Sequence, residues 1–191
     1  MVKIAILIPT ISSRKEKLNS LLSAIRNQIA FNEVMGVEFD ILIHDAENLT
    51  TGYKRNVLIG IATAKGCDYV EFVDDDDMIS DNHIENISHA ALSGKDCASL
   101  KGIYTVDGTN PVLFEHSIKY KKYAENTDAK PDEIRYERYP NHLNLIKTDI
   151  ANKVKFPDIT FGEDYKWATE LNELGLIKTE FEINDVIRSE E

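Results

Sequence analysis

Apolar residues gather first into a short run, Val2 to Ile8, interrupted only by Lys3 and closed by Pro9-Thr10. A continuous β-type run of that length fits a strand covered on both faces by helices, as in a parallel sheet. The period then changes. Ser13-Arg-Lys-Glu16 has the spacing of a capping box, and Leu18, Leu21, Leu22, Ile25 and Ile29 follow at helical intervals. A second strand is expected over Phe39-Asp-Ile-Leu-Ile43, then a polar turn from Glu47 to Gly52. The helix after it turns Val57, Leu58, Ile61 and Ala62 inward and stops at Gly66. Tyr69 to Val73 supplies a third strand. Together these predict a β-α-β-α-β half-sheet of the doubly wound type, with right-handed crossovers.

Beyond it, Asp81 is placed to cap a helix carrying Ile84, Ile87, Ala91 and Leu92, with His83 and His89 off its apolar stripe and so at the surface. Ala98 to Val106, the turn Asp107-Gly108 and Val112 to Phe114 read as an antiparallel hairpin. Residues 117–138 hold Lys119, Lys121, Lys122, Lys130, Arg135 and Arg138 among Tyr120, Tyr123 and Tyr136, with few aliphatics. That content fits a flexible loop, either ordering over a ligand or lying on the surface. A short strand over Leu143 to Lys147 and a short helix over Asp149 to Val154 follow. Phe161-Gly-Glu-Asp-Tyr-Lys-Trp167 then opens a helix with Ala168, Leu171 and Leu174 inward and Gly175 as its stop. Thr179 to Ile183 is a last strand, followed by Val186-Ile-Arg188. The expected fold class is α/β: a doubly wound mixed sheet in one domain, residues 1–191, with a parallel half over 1–97 and a smaller mixed or antiparallel half over 98–191.

Composition narrows the partners. The formal net charge of −11 over 191 residues argues against a broad electrostatic grip on nucleic acid or anionic membrane, while leaving room for a local basic groove. The run Ile4 to Ile8 is too short for a signal-peptide core, and no stretch approaches the roughly 20 apolar residues of a membrane span. A cytoplasmic protein is therefore expected. Cys67 and Cys97 form neither a metal-type spacing nor a disulfide framework, and read as small core residues.

The chemistry concentrates where the third strand runs into four consecutive aspartates, Asp74 to Asp77. Like charges so close raise one another's pKa unless something cationic lies among them. If the chain stays extended, Asp74 and Asp76 point to one side and Asp75 and Asp77 to the other. Two carboxylates on one side suit a hard ion such as Mg2+ or Mn2+, which keeps open positions for water or substrate phosphates. The competing reading is a solvated acidic turn. A calcium loop of the EF-hand type fits poorly, because Ile79 stands where glycine is required. Ligands of doubly wound sheets bind beyond the carboxyl ends of the strands, and Pro9-Thr10, His44-Asp45 and Asp74 to Asp77 all fall there. That convergence favours the metal reading. Glu163 and Asp164, in a first helical turn, have a sufficient explanation in the helix dipole alone.

The order Ile8-Pro9-Thr10, Arg55-Asn56, Phe72-Val-Asp-Asp-Asp-Asp77 and Gly162-Glu-Asp164 resembles the family 2 glycosyltransferases with the GT-A fold, over nearly the whole chain. The resemblance implies a metal-dependent inverting glycosyltransferase, moving a sugar from a nucleotide-diphospho-sugar to an acceptor hydroxyl with Mn2+ or Mg2+. It assigns residues 1–97 to the donor and 98–191 to the acceptor and the catalytic base. Asp74 and Asp75 would then lie with Pro9 and Thr10 near the donor's ribose or diphosphate. Asp76 would hold the metal with Asp74, Asp45 would contact the base, and Arg55 matches the arginine of the family's Arg-Asn pair. Asp164 would be the general base, with Glu163 beside it in the catalytic pair.

This sequence departs from the pattern in places. His44-Asp-Ala-Glu-Asn48 replaces the usual acidic run after the second strand, and the stretch from Arg55 to Phe72 is about one helical turn longer than typical. Arg188 resembles a late family arginine without the histidine that often follows. His142 is a candidate third metal ligand or substrate contact, a structural histidine being the alternative. Two other functions remain open, a nucleotidyltransferase of related fold and a catalytically degenerate nucleotide-sugar-binding module. Against the former, Pro9-Thr10-Ile11-Ser12 stands where a glycine-rich phosphate loop would be. The acceptor, whether glycan, lipid-linked glycan, protein or modified DNA base, is not readable, although the acidity disfavours nucleic acid.

Overall fold

A computed structural model describes residues 1–31, 36–106, 109–183 and 186–190, with the side chains of Val106 and of 186–190 left out. The expected turn Asp107-Gly108 and the side chain of Arg188 therefore lie outside the described residues.

Strand β1 (Val2–Pro9) is followed by a 3-10 turn, Ser12–Arg14, and helix α1 (Lys15–Phe31). The cap position of that turn, Ile11, makes no side-chain hydrogen bond, so the helix enters through a tight turn and not through a capping box at Ser13. Next come β2 (Val37–His44), α2 (Thr51–Ala64), β3 (Tyr69–Phe72) and α3 (His83–Leu92). Asn82, not Asp81, sits at the cap of α3 and offers no side-chain bond. Gln28 of α1 does that work from a distance, its Oε1 accepting from the Ile84 amide at 3.1 Å while its Nε2 donates to the Ser80 carbonyl at 2.7 Å.

The remaining elements are β4 (Cys97–Ala98), β5 (Leu100–Val106), β6 (Thr109–His116), β7 (Ala124–Glu125), β8 (Ile134–Arg138), β9 (Ile146–Lys147), α4 (Thr148–Ala151), α5 (Glu163–Glu173), β10 (Glu180–Phe181) and β11 (Val186–Glu190). They build two sheets, ordered β10-β4-β9-β3-β1-β2 and β11-β5-β6-β8-β7. β1 is parallel to both β2 and β3, whereas β9 runs antiparallel to β3 and β4. The later half of the chain thus supplies both the remaining strands of the first sheet, β4, β9 and β10, and all of the second, β5 to β8 and β11. Ser99 marks the corner where the chain leaves β4 for β5: its amide donates to the Phe181 carbonyl at 2.8 Å and its hydroxyl accepts from the Ile183 amide at 2.8 Å.

β1 is buried on both faces, as its pattern requires. Ala5 and Leu7 pack with Leu58, Phe72, Ala168 and Trp167, while Ile4, Ile6 and Ile8 pack with Leu21, Ile25, Ile84 and Ile87. Each such isoleucine or leucine contributes roughly 1.5–3 kcal/mol. Cys67 and Cys97 are buried free thiols, as expected.

Two sequence expectations fail here. His83 is buried, with its Nε2 3.0 Å from Glu71 Oε2, because α3 turns this residue toward the central strand β3. Residues 117–138, expected as a loop, supply β7 and β8, where Ile134 to Arg138 are all half-buried. Glu180 ties down the segment's start, accepting from Ser117 Oγ at 2.7 Å and the Ile118 amide at 2.9 Å. Tyr123 packs on Tyr139 and Tyr165, with ring centroids 4.5 and 5.2 Å away.

Candidate active site

The site grows from the first turn of α2. Thr50 caps the helix by accepting from the Tyr53 amide at 3.1 Å. Gly52 presses against the loop after α4: its amide donates to the Ile159 carbonyl at 3.0 Å, and a Cβ there would lie 1.9 Å from the Pro157 carbonyl oxygen. Asn56 holds the same loop by a reciprocal pair with the Phe156 backbone, at 2.8 and 3.0 Å. This docking leaves Lys54 and Arg55 facing the carboxyl ends of β1 and β3. Lys54 donates to the Thr10 carbonyl at 2.7 Å.

Arg55 is 3% exposed and joins two elements. Its Nη2 meets both oxygens of Asp74 at 3.0 and 3.1 Å, and its Nε meets Glu163 Oε1 at 3.2 Å. The guanidinium also lies 4.9 Å from the ring centre of Phe72 and 5.8 Å from that of Phe156. Its remaining nitrogen, Nη1, is buried at the wall of a cleft without a hydrogen-bond partner among the described residues.

The aspartate run leaves β3 as a turn, closed by the Asp77 amide donating to the Asp74 carbonyl at 3.0 Å. Burial still alternates, with Asp75 and Asp77 inward and Asp74 and Asp76 partly open. The turn nevertheless brings neighbours together. Arg14 Nη1 lies 2.9 Å from Asp75 and 3.0 Å from Asp76, so these two do not point to opposite sides. Thr10 Oγ1 completes the hold on Asp75 at 2.6 Å. The cations seen against Asp74, Asp75 and Asp76 are thus guanidinium groups, those of Arg14 and Arg55. Burial alone would raise the pKa of Asp74, but Arg55 and His142 outweigh it and hold that carboxyl well below the usual range. Asp76 goes the other way, pushed up by burial and by Asp75 and Asp74 against the pull of Arg14.

Across the cleft, Gly162 takes φ +76° at the start of α5, a left-handed conformation that glycine adopts without strain. The helix that follows buries Glu163 against Arg55 and leaves Asp164 partly open on the cleft wall. Burial raises the pKa of Glu163 despite Arg55. His142 stands between the two rims: Nε2 is 3.5 Å from Asp74 Oδ2 and Nδ1 is 3.6 Å from Asp164 Oδ2. Its carbonyl accepts from the Phe72 amide at 3.1 Å, which fixes the ring's height along β3.

These groups line one cleft of about 570 Å³. Its remaining wall comes from the second sheet. Phe114 and His116 on β6 and Tyr136 and Arg138 on β8 are register partners, and all four line the cleft with Tyr104 of β5. Gly102 makes room, since a Cβ there would fall 2.1 Å from the Phe114 ring.

The structure therefore brings Pro9, Thr10, Arg55, Asp74, Asp75, Asp76, His142, Glu163 and Asp164 to one cleft. Asp45 is exposed and is not among the lining residues. The expected metal trio of Asp74, Asp76 and His142 is not assembled: among the described residues no three His, Cys, Asp or Glu side chains converge as an ion-binding group. Asp74 is instead committed to Arg55 and His142. Sequence reasoning missed Arg14, whose role depends on the turn after β1, and the wall residues Phe114 and His116. Their alternation in β6 was the available signal.

No family model and no curated protein matches the sequence. Solved structures do resemble it. Residues 1–349 of TarS from S. aureus align over 99% of this chain and 60% of theirs, at 15% identity and TM-score 0.61. The same protein in complex with UDP-GlcNAc aligns over 100% and 59%, at 14% identity and TM-score 0.60. A197 from STIV aligns over 96% and 82%, at 15% identity and TM-score 0.50. The fold is thus a GT-A-like mixed α/β architecture, and this chain spans about 60% of the TarS segment. Among the described residues no helix is long and apolar enough to cross a membrane.

Proposed function

We propose that the chain is a nucleotide-sugar-dependent glycosyltransferase that moves a sugar to an acceptor hydroxyl with inversion. The observation that carries this reading is the meeting of two carboxylates from opposite rims, Asp74 and Asp164, on the single ring of His142 inside the cleft. An inverting transfer needs those two functions: a rim that receives a diphosphate and a base on the other side of the anomeric carbon. The complex of the TarS structure with UDP-GlcNAc supports a nucleotide-sugar donor in this fold.

Lys54, Arg14 and the unpartnered Nη1 of Arg55 offer positive charge and a free donor to the diphosphate. Glu163 is buried on Arg55, so its role is to orient that guanidinium. Asp164, partly open on the wall, is the group placed to take a proton from the acceptor hydroxyl.

In this reading a divalent ion would be held by one protein carboxylate, Asp76, together with the substrate phosphates. Asp76 is partly open, and its ion-pair partner among the described residues, Arg14, is nearly half exposed and shared with Asp75. One carboxylate with substrate phosphates is enough for Mg2+ or Mn2+. When bound, such an ion neutralises charge on the leaving diphosphate.

A panel of UDP-, GDP- and dTDP-sugars, with and without Mn2+, scored for thermal stabilisation and donor hydrolysis, tests the reading. Asp164→Asn should keep donor binding and lower transfer by about 10²–10⁴-fold. No response to any donor, or full transfer by the variant, would overturn it.

A further inference from the structure

One buried imidazole on the second-sheet wall has no part in the chemistry above. His116 is 1% exposed and lines the cleft beside Phe114, yet among the described residues its Nε2 has no hydrogen-bond partner. Its other nitrogen is fully specified. Asn144 Nδ2 donates to the Ala98 carbonyl at 2.9 Å, and Asn144 Oδ1 accepts from the Asn141 amide at 2.9 Å. The amide's orientation is therefore set, and the atom it turns toward His116 Nδ1, at 3.2 Å, is an oxygen. An oxygen there accepts, so Nδ1 carries the proton and Nε2 presents a bare lone pair. Burial and the neighbouring Arg138 push the ring's pKa down to about 3, so this neutral tautomer persists across the physiological range.

A buried acceptor without a donor is costly, and the wall that holds it faces a ligand cleft. Phosphate and carboxylate groups offer it nothing, being acceptors themselves at neutral pH. Hydroxyl groups do. We infer that His116 Nε2 is a sugar-recognition point, accepting a hydrogen bond from a hydroxyl of the donor sugar or of the acceptor and holding the ring against Phe114. The inference rests on the transferase reading for the identity of its ligands, and it gives the two rims different tasks. Arg14, Lys54 and Arg55 serve anionic groups, and the second sheet serves hydroxyls.

Long-range 1H–15N spectra of the histidine rings test this directly in the wild-type protein. The free protein should show His116 neutral and protonated on Nδ1 between pH 5 and 8; a protonated Nε2 overturns the inference. The sugar nucleotide that responds in the donor panel, its nucleoside diphosphate, and free glucose and N-acetylglucosamine are then titrated in separately. A shift of the Nε2 resonance with the sugar nucleotide but not with the nucleoside diphosphate assigns the hydroxyl to the donor. A shift with the free sugars alone assigns it to the acceptor.

His116→Phe, which keeps an aromatic ring beside Phe114, should weaken binding of the ligand that moves Nε2 by about tenfold and leave the nucleoside diphosphate unaffected. His116→Gln, with a new side-chain oxygen, should recover part of that loss and serves if the phenylalanine variant does not fold. Equal affinities with no Nε2 shift in any titration overturn the inference while leaving the transferase reading intact. If no nucleotide ligand binds at all, the transferase reading fails, and the free-sugar titrations alone then decide the role of His116.

Discussion

Replacing Arg55 with methionine separates charge from packing at the centre of the cleft. Methionine keeps an unbranched apolar stem over Phe72 and Phe156 but leaves Asp74 and Glu163 without the guanidinium that both contact at 3.0–3.2 Å. Removing one partner of a buried ion pair costs about 3–5 kcal/mol, because the other charge stays buried. The cost should depend on pH, and its sign follows from the two carboxyls. In the wild type, Asp74 has a lowered pKa, so its contribution is complete above the ordinary carboxylate value of about 3.9 and fades as pH falls below it. Glu163 has a raised pKa, so its ionised form already costs stability as pH climbs past about 4.3. Without Arg55, burial weighs more heavily at both sites, opposed at Asp74 by His142 alone, and both carboxyls shift toward the protonated form. Arg55→Met should therefore lose most relative to wild type at pH 7, and less at pH 4, where the variant's buried carboxyls can take up protons. Urea denaturation at the two pH values measures this, and the triple variant Arg55→Met, Asp74→Asn, Glu163→Gln should regain most of the pH 7 loss. An equal deficit at pH 4 and pH 7, unrelieved in the triple variant, would show that Arg55 acts through packing on Phe72 and Phe156 and would refute the electrostatic account.

Two further outcomes bear on the cleft walls. Asp76→Asn should weaken the Mn2+ dependence of donor binding at least about tenfold, read by titrating Mn2+ against donor-induced stabilisation. Because burial, and then Asp75 and Asp74, raise the pKa of Asp76 and make its charge unfavourable, the same variant should melt about 1–3 °C higher without ligand. Gly102→Ala places a methyl 2.1 Å from the Phe114 ring and should cost about 1–3 kcal/mol in urea denaturation, with weaker binding of any ligand that rests on that ring.

The sequence reading succeeded where one physical requirement dominated a segment. β1 must be buried on both faces, and Val2 to Ile8 can meet no other need, so the parallel β1-β2-β3 core followed from its pattern alone. The first acidic rim was legible for a similar reason, since the ends of β1 and β3 fall where doubly wound sheets bind ligands, whereas Glu163 and Asp164 were reached only through the resemblance of Gly162-Glu-Asp164 to a family motif. What failed depended on partners far along the chain. Nothing near Ile84 reveals that Gln28 satisfies its amide, and nothing near His83 reveals that Glu71 lies opposite. Residues 117–138 misled because β8 is half-buried throughout, so its charged and aromatic positions showed no clean alternation.

The aspartate run shows the same limit more sharply. Four adjacent carboxylates do require positive charge nearby, and a metal ion satisfies that requirement from sequence-local residues alone, which is why local reasoning reaches it first. Arg14 and Arg55 also satisfy it, but they stand 61 and 19 residues before the aspartates they hold, on elements whose placement depends on the whole sheet. The division between the two arginines then has a chemical consequence. Arg55 is buried and committed to Asp74 and Glu163, whereas Arg14 is nearly half exposed and shared between Asp75 and Asp76. Charge at the buried end is therefore fixed by the fold, while charge at Asp76 is balanced by a side chain that is nearly half exposed to solvent. Variation of ionic strength or of bound anion should act first at the Arg14 end, because exposed pairs are screened and buried ones are not.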